Sequence, residues 1–156
     1  MNYLTQKLLT NEEINSIKTK INKEEKLWEN GKKTAGSFAA NVKNNLQLSK
    51  NSEISKACTQ LISKKILSNQ LIKSFTLPKT IHGVMFTKSS QNMKYGRHID
   101  NPYMSTGRSD LSFTISLTDK SQYHGGELVI ETLNAENSFK LNFKKTSFNF
   151  SANLES

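Results

Sequence analysis

Apolar residues recur every three or four positions through the first half of the chain and every two through much of the second. Ile14, Ile17, Ile21 and Trp28 fall on one face at helical spacing. They follow Thr10-Asn11-Glu12-Glu13, where a hydroxyl and a carboxylate three residues on have the form of a capping box. This spacing predicts a helix over residues 11–28. A second helix is predicted over 53–74, where Ile54, Ala57, Cys58, Leu61, Ile62, Ile66 and Leu71 form a stripe, and Pro78 ends the region. Between the two, Asn30-Gly31-Lys32-Lys33-Thr34-Ala35-Gly36 reads as a turn or loop. Cys58, set in an apolar stripe, reads as a small buried hydrophobe.

Past Pro78 the period becomes that of strands. Leu111, Phe113, Ile115 and Leu117 alternate with Ser112, Thr114 and Ser116, the pattern of a half-buried strand. His124-Gly125-Gly126 makes a turn, and Leu128-Val129-Ile130 follows as a short strand. Phe139, Leu141 and Phe143 alternate with lysines and asparagine, and Phe148 and Phe150 with Ser147, Asn149 and Ser151. Short antiparallel strands with polar turns predict an α+β fold with a mainly β core, a sandwich or barrel with helices packed outside it. A helical support region over residues 1–79 and a β core over 80–156 are expected to form one structural domain, which suits 156 residues.

Composition narrows the classes. One cysteine excludes an intrachain disulfide and a Cys-built zinc finger. No apolar run reaches the length of a membrane span, and the start lacks the apolar stretch of a signal peptide, so a soluble cytoplasmic protein is expected. The net charge of +9 rests on 22 basic residues, of which only Arg97 and Arg108 are arginine. The first 79 residues carry +8 and the rest +1, spread along the helical half without a block of like charge. Arginine is the commonest specific reader of bases, so no specific nucleic-acid partner is expected.

Three histidines are present: His82, His98 and His124. Only His98 has an acid at strand spacing, in Tyr95-Gly96-Arg97-His98-Ile99-Asp100. An imidazole and a carboxylate at i and i+2 of an extended chain project from one face. They can share a divalent cation as the start of a 2-His-1-carboxylate triad, or form a plain surface ion pair.

The surrounding residues add a resemblance. Val42-Lys43-Asn44-Asn45, the Tyr95–Asp100 run and the Tyr123-His124-Gly125-Gly126-Glu127 turn, in this order from about Trp28 onward, resemble the PKHD-type hydroxylases, a prolyl-hydroxylase-like branch of the Fe(II)/2-oxoglutarate dioxygenases. That resemblance implies a double-stranded β-helix (jelly-roll) with N-terminal helices. It also implies a site using Fe(II), 2-oxoglutarate, O₂ and ascorbate to hydroxylate a peptidyl or small-molecule C–H bond. His98 and Asp100 match the first two iron ligands, and no catalytic residue is expected beyond them. Tyr95 matches a cofactor-pocket aromatic, though core packing would serve it equally. Gly125 and Gly126 match a turn, which leaves Glu127 and His124 facing solvent. Family members carry a further histidine and an arginine for 2-oxoglutarate, whereas here no histidine follows His124 and no arginine follows Arg108. Ser89 stands where a tyrosine is expected. The resemblance therefore implies a member cut short, with its final strands missing. The alternative is a truncated or degenerate β-helix that binds without catalysing.

Overall fold

Thr10 opens the first helix with the reciprocal contacts its sequence foretells. Its hydroxyl accepts the Glu13 N–H at 3.2 Å, and its own N–H donates to the Glu13 carboxylate at 2.9 Å. The chain is seen in a computed structural model that describes residues 3–131, 136–139 and 146–150. Its helices are α1 (Asn11–Ile21), α2 (Ser37–Val42), α3 (Glu53–Ser68) and α4 (Gln70–Thr76). The strands of its first half are β1 (Tyr3–Gln6), β2 (Trp28–Asn30), β3 (Lys43–Asn44) and β4 (Leu46–Leu48). Then come β5 (Thr87–Lys88), β6 (Lys94–Tyr95), β7 (Tyr103–Met104) and β8 (Gly107–Arg108). The last are β9 (Leu111–Ile115), β10 (Leu128–Glu131), β11 (Glu136–Phe139) and β12 (Thr146–Phe150).

Both predicted helices form, and both differ in extent from the expectation. α1 ends at Ile21 because the positions that would extend its stripe, Glu24 and Glu25, are charged. Trp28 lies in β2 instead, and its indole N–H donates to the Ile21 carbonyl at 3.0 Å, satisfying an acceptor the helix end leaves open. The region 53–74 divides at Asn69, whose side chain accepts the Ile72 N–H at 3.0 Å and starts a new helix. The break rephases the stripe: Ile72 is wholly buried, and Leu71, expected inside, is exposed. Elsewhere the stripe is narrower than expected: Ala57 and Leu61 are exposed and Ile54 is half-buried, which leaves Cys58, Ile62 and Ile66 as its buried line.

Those side chains join Leu9, Ile14, Ile17, Ile21, Leu48 and Phe86 in one core. Phe113, Ile115 and Leu117 press on it from the β side. β9 does not bury one face cleanly: residues 111–117 are all half-buried, and Leu111 stands apart from the core. Antiparallel sheets run in the orders β1-β12-β9 and β2-β4-β5, with β3–β6, β7–β8 and β10–β11 as two-stranded pairs. The architecture is thus mixed helix and antiparallel sheet. The turn before β10 is present, with Gly125 and Gly126 both at φ +70°, a conformation glycine adopts freely. The expected alternation at Leu141 and Phe143 lies outside the described residues. Among the described residues no helix is long and apolar enough to cross a membrane.

Candidate functional site

The site grows from the shortest of pairings. β3 and β6 set Lys43 opposite Tyr95 and Asn44 opposite Lys94. The Gly96 N–H then reaches the Val42 carbonyl at 2.8 Å. A Cβ at Gly96 would stand 3.0 Å from that of Val42, so a side chain here would press on Val42 and glycine eases this close approach of the two backbones.

Beyond Gly96 the backbone leaves the ladder, and His98 and Asp100 sit in an irregular segment, not on the extended strand expected of them. Their side chains converge all the same: His98 Nε2 lies 3.3 Å from Asp100 Oδ1. Adjacent corners of an octahedron with bonds near 2.1 Å are separated by about 3 Å. The Gly96 carbonyl lies 2.8 Å from His98 Nδ1, where it accepts the ring N–H and leaves Nε2 directed at Asp100. From β9, the Ser112 hydroxyl donates to the other oxygen, Asp100 Oδ2. One nitrogen and one carboxylate oxygen, each braced from behind, suit a divalent cation. The same contact becomes an ion pair when the imidazole is protonated. Among the described residues, no third His, Cys, Asp or Glu joins them.

Tyr95 stacks on the imidazole, ring centres 3.7 Å apart and planes within 11°. Burial pushes its phenol pKa up, and the Asp100 charge pushes it further. The Lys43 ammonium lies 4.8 Å from the centre of the same ring. Lys43 is only 2% exposed, and its polar neighbours are neutral: Thr34 Oγ1 at 3.4 Å and Met85 Sδ at 3.9 Å. Thr34 in turn donates to the side-chain amide oxygen of Gln47. Burial holds the Lys43 pKa below the usual lysine range, with a smaller push from Lys50.

The other histidines lie elsewhere. His124 is exposed beside the glycine turn, as is Glu127. His82 braces the β7–β8 hairpin, with Nδ1 2.6 Å from Thr106 Oγ1 and Nε2 2.8 Å from the Arg108 carbonyl. Cys58 is buried between helices, and burial raises its thiol pKa. Sequence reasoning assigned no role to Lys43 or Ser112. Ser112 falls on the polar side of an alternating strand, and Lys43 within the Val42–Asn45 run, but neither position alone reveals its neighbour.

No protein-family model matches the chain. It is 70% identical over 141 residues to a PKHD-type hydroxylase of Prochlorococcus marinus strain MIT 9515. It is 69% identical over 143 residues to that of strain MIT 9301, and 66% over 142 to that of strain AS9601. The matches take in 90–91% of this chain and 64% of each relative, so the chain spans somewhat under two thirds of their length. Across the part those matches cover, the chain is closely similar to the PKHD-type hydroxylases.

Proposed function

We propose that the chain supplies part of an Fe(II)- and 2-oxoglutarate-dependent dioxygenase that hydroxylates a peptidyl or small-molecule C–H bond, with His98 and Asp100 as iron ligands. The sheets are read as parts of a double-stranded β-helix. The observation that carries this reading is the braced pair, His98 Nε2 against Asp100 Oδ1 at 3.3 Å. The name shared by the relatives, hydroxylase, supports it. When bound, iron activates O₂ at the expense of 2-oxoglutarate, and ascorbate keeps the iron reduced. The chain's own residues prepare the place. The Gly96 carbonyl fixes which imidazole nitrogen faces the cation, Ser112 holds the carboxylate, and Tyr95 shields one imidazole face from water.

A second reading, a β-helix that binds without catalysing, is favoured by the two-donor set among the described residues. Anaerobic titration with Fe(II) and then 2-oxoglutarate separates the readings. A charge-transfer band with succinate release on admitting O₂ supports the oxygenase, and cation binding without succinate supports the second reading. His98→Ala and Asp100→Ala should abolish the band, whereas His124→Ala should leave it. Loss of iron in His124→Ala with retention in His98→Ala overturns the assignment.

A further inference from the structure

Asp100 is held firmly on one side and weakly on the other. Ser112, which grips its Oδ2, belongs to β9, and β9 pairs along its whole length with β12. Among the described residues, the nearest backbone hydrogen bond before Asp100 is that of the Gly96 N–H to Val42. Directly after Asp100 the chain enters the β7–β8 hairpin. There Asn101 Oδ1 accepts the Tyr103 N–H at 3.0 Å, and the Pro102 carbonyl accepts the Ser109 N–H at 2.7 Å. These bonds pass the position of the hairpin on to Asp100. The hairpin cannot fix itself, because its strands are two residues long and exposed, and so short a pair is marginal in water. None of its residues joins the core, and the Arg108–Asp110 ion pair beside it is exposed and local.

The tie from outside is His82. Its Nε2 lies 2.8 Å from the Arg108 carbonyl and its Nδ1 2.6 Å from the Thr106 hydroxyl. A carbonyl only accepts, so Nε2 donates, and in the neutral ring Nδ1 accepts from Thr106. The ring also lies against the turn: a Cβ at Gly107, where φ is +134°, would stand 3.4 Å from His82 Cε1. His82 is itself anchored, because Ile81 and Val84 pack on the core and Phe86 is buried in it. Two directional bonds from one imidazole fix the hairpin in both position and angle. We propose that His82 is a positioning residue for Asp100: it pins the β7–β8 hairpin to the core, and the hairpin aims the carboxylate. That the aimed carboxylate serves a cation rests on the function proposed above; the pinning does not.

Two measurements on the whole chain test this, and the first needs no metal. Amide hydrogen exchange at Tyr103 and Ser109, whose N–H groups close the base of the hairpin, should quicken about tenfold in His82→Ala, as loss of two hydrogen bonds implies. The Asp100 ¹³Cγ resonance should move with it. His82→Gln, whose amide can still donate to the Arg108 carbonyl, should recover most of the protection, and His124→Ala should change neither. Should His82→Ala not fold, Thr106→Val, which removes one bond from the hairpin side, must show the same changes at smaller amplitude. Unchanged exchange overturns the pinning, and faster exchange with an unmoved Asp100 resonance overturns its link to the carboxylate. The second measurement is titration with Co(II), whose absorption bands report coordination geometry. His82→Ala should weaken binding about three- to tenfold and alter the bands, with His82→Gln restoring both; the loss is smaller than for a residue bonded directly to the ligand because one more link intervenes. Equal affinity and bands in His82→Ala overturn the positioning role. Absence of Co(II) binding in the unmodified chain would remove the metal reading and leave the pin to stand or fall on the first measurement.

Discussion

The helical layer and the segment from Lys94 to Ser112 are held by different forces. In the helices, isoleucines and Cys58 interlock from α1, α3 and α4, with Ile14, Ile62 and Ile72 among the most deeply buried side chains. Along residues 94–110 only Gly96, Pro102 and Ser109 are even half-buried, the strands are two residues long, and single polar contacts set each side chain. Apolar burial scales with area and tolerates small displacements, whereas a hydrogen bond of defined angle either aims a ligand or misses. The division predicts that stability and ligand binding are carried by separate residues.

Ile72→Ala is the strongest test of that division. It should cost about 3–4 kcal/mol, read from the urea midpoint, because the site is fully buried and the cavity cannot collapse completely. A loss below about 1 kcal/mol would show that the helical layer is not the stabilising half. Next comes Gly31→Ala, whose Cβ would fall 2.0 Å from the buried Asn45 Oδ1. That overlap should cost about 1–3 kcal/mol, and Gly31→Ala paired with Asn45→Gly should recover most of it.

Glu13→Gln is smaller, about 1 kcal/mol, for it weakens a cap and breaks the 2.6 Å ion pair with Lys65. The Lys65 contact and the Thr10 N–H hold the Glu13 pKa below the usual carboxylate range. Its stabilisation is therefore present above that range and lost as pH falls through the lowered value. Thermal melts of Glu13→Gln should show a flatter acid limb. The least stability, under about 0.5 kcal/mol, should be lost in Ser112→Ala. That same change should weaken cation binding about 10- to 100-fold, as removal of a ligand's bracing partner typically does. Loss of both together would merge the two regions that the structure keeps apart.

Legibility in the sequence follows the same division. The Thr10 cap, the stripes of α1 and α3, the strands at 111–115 and 128–131 and the glycine turn were readable because each is a local pattern several residues long. The break at Asn69 was missed because one side-chain hydrogen bond outweighed a continuing apolar spacing, and the end of α1 because Trp28 returns to helical spacing beyond the charged Glu24 and Glu25. β2, β3 and β4 are two or three residues long and carry no period. His98 and Asp100 were legible as a pair, but their convergence comes from Gly96 and Ser112 and not from strand spacing. Lys43 was hidden because burial of a lysine depends on what folds over it from residues 34, 85 and 95, far along the chain.

The sheet β1-β12-β9 imposes a sequence of events on synthesis. Tyr3–Gln6 pairs with Thr146–Asn149, and β12 also lies between β1 and β9. At typical translation rates, on the order of ten seconds separate the appearance of Gln6 from that of Thr146. Throughout that interval β1 lacks its partner, and β9 joins it with a bare edge once residues 111–115 are made, while α1 and α3 can already dock through contacts nearer in sequence. The nascent chain is thus most exposed to strand-to-strand association just before β12 is made, and slower translation lengthens the period of risk.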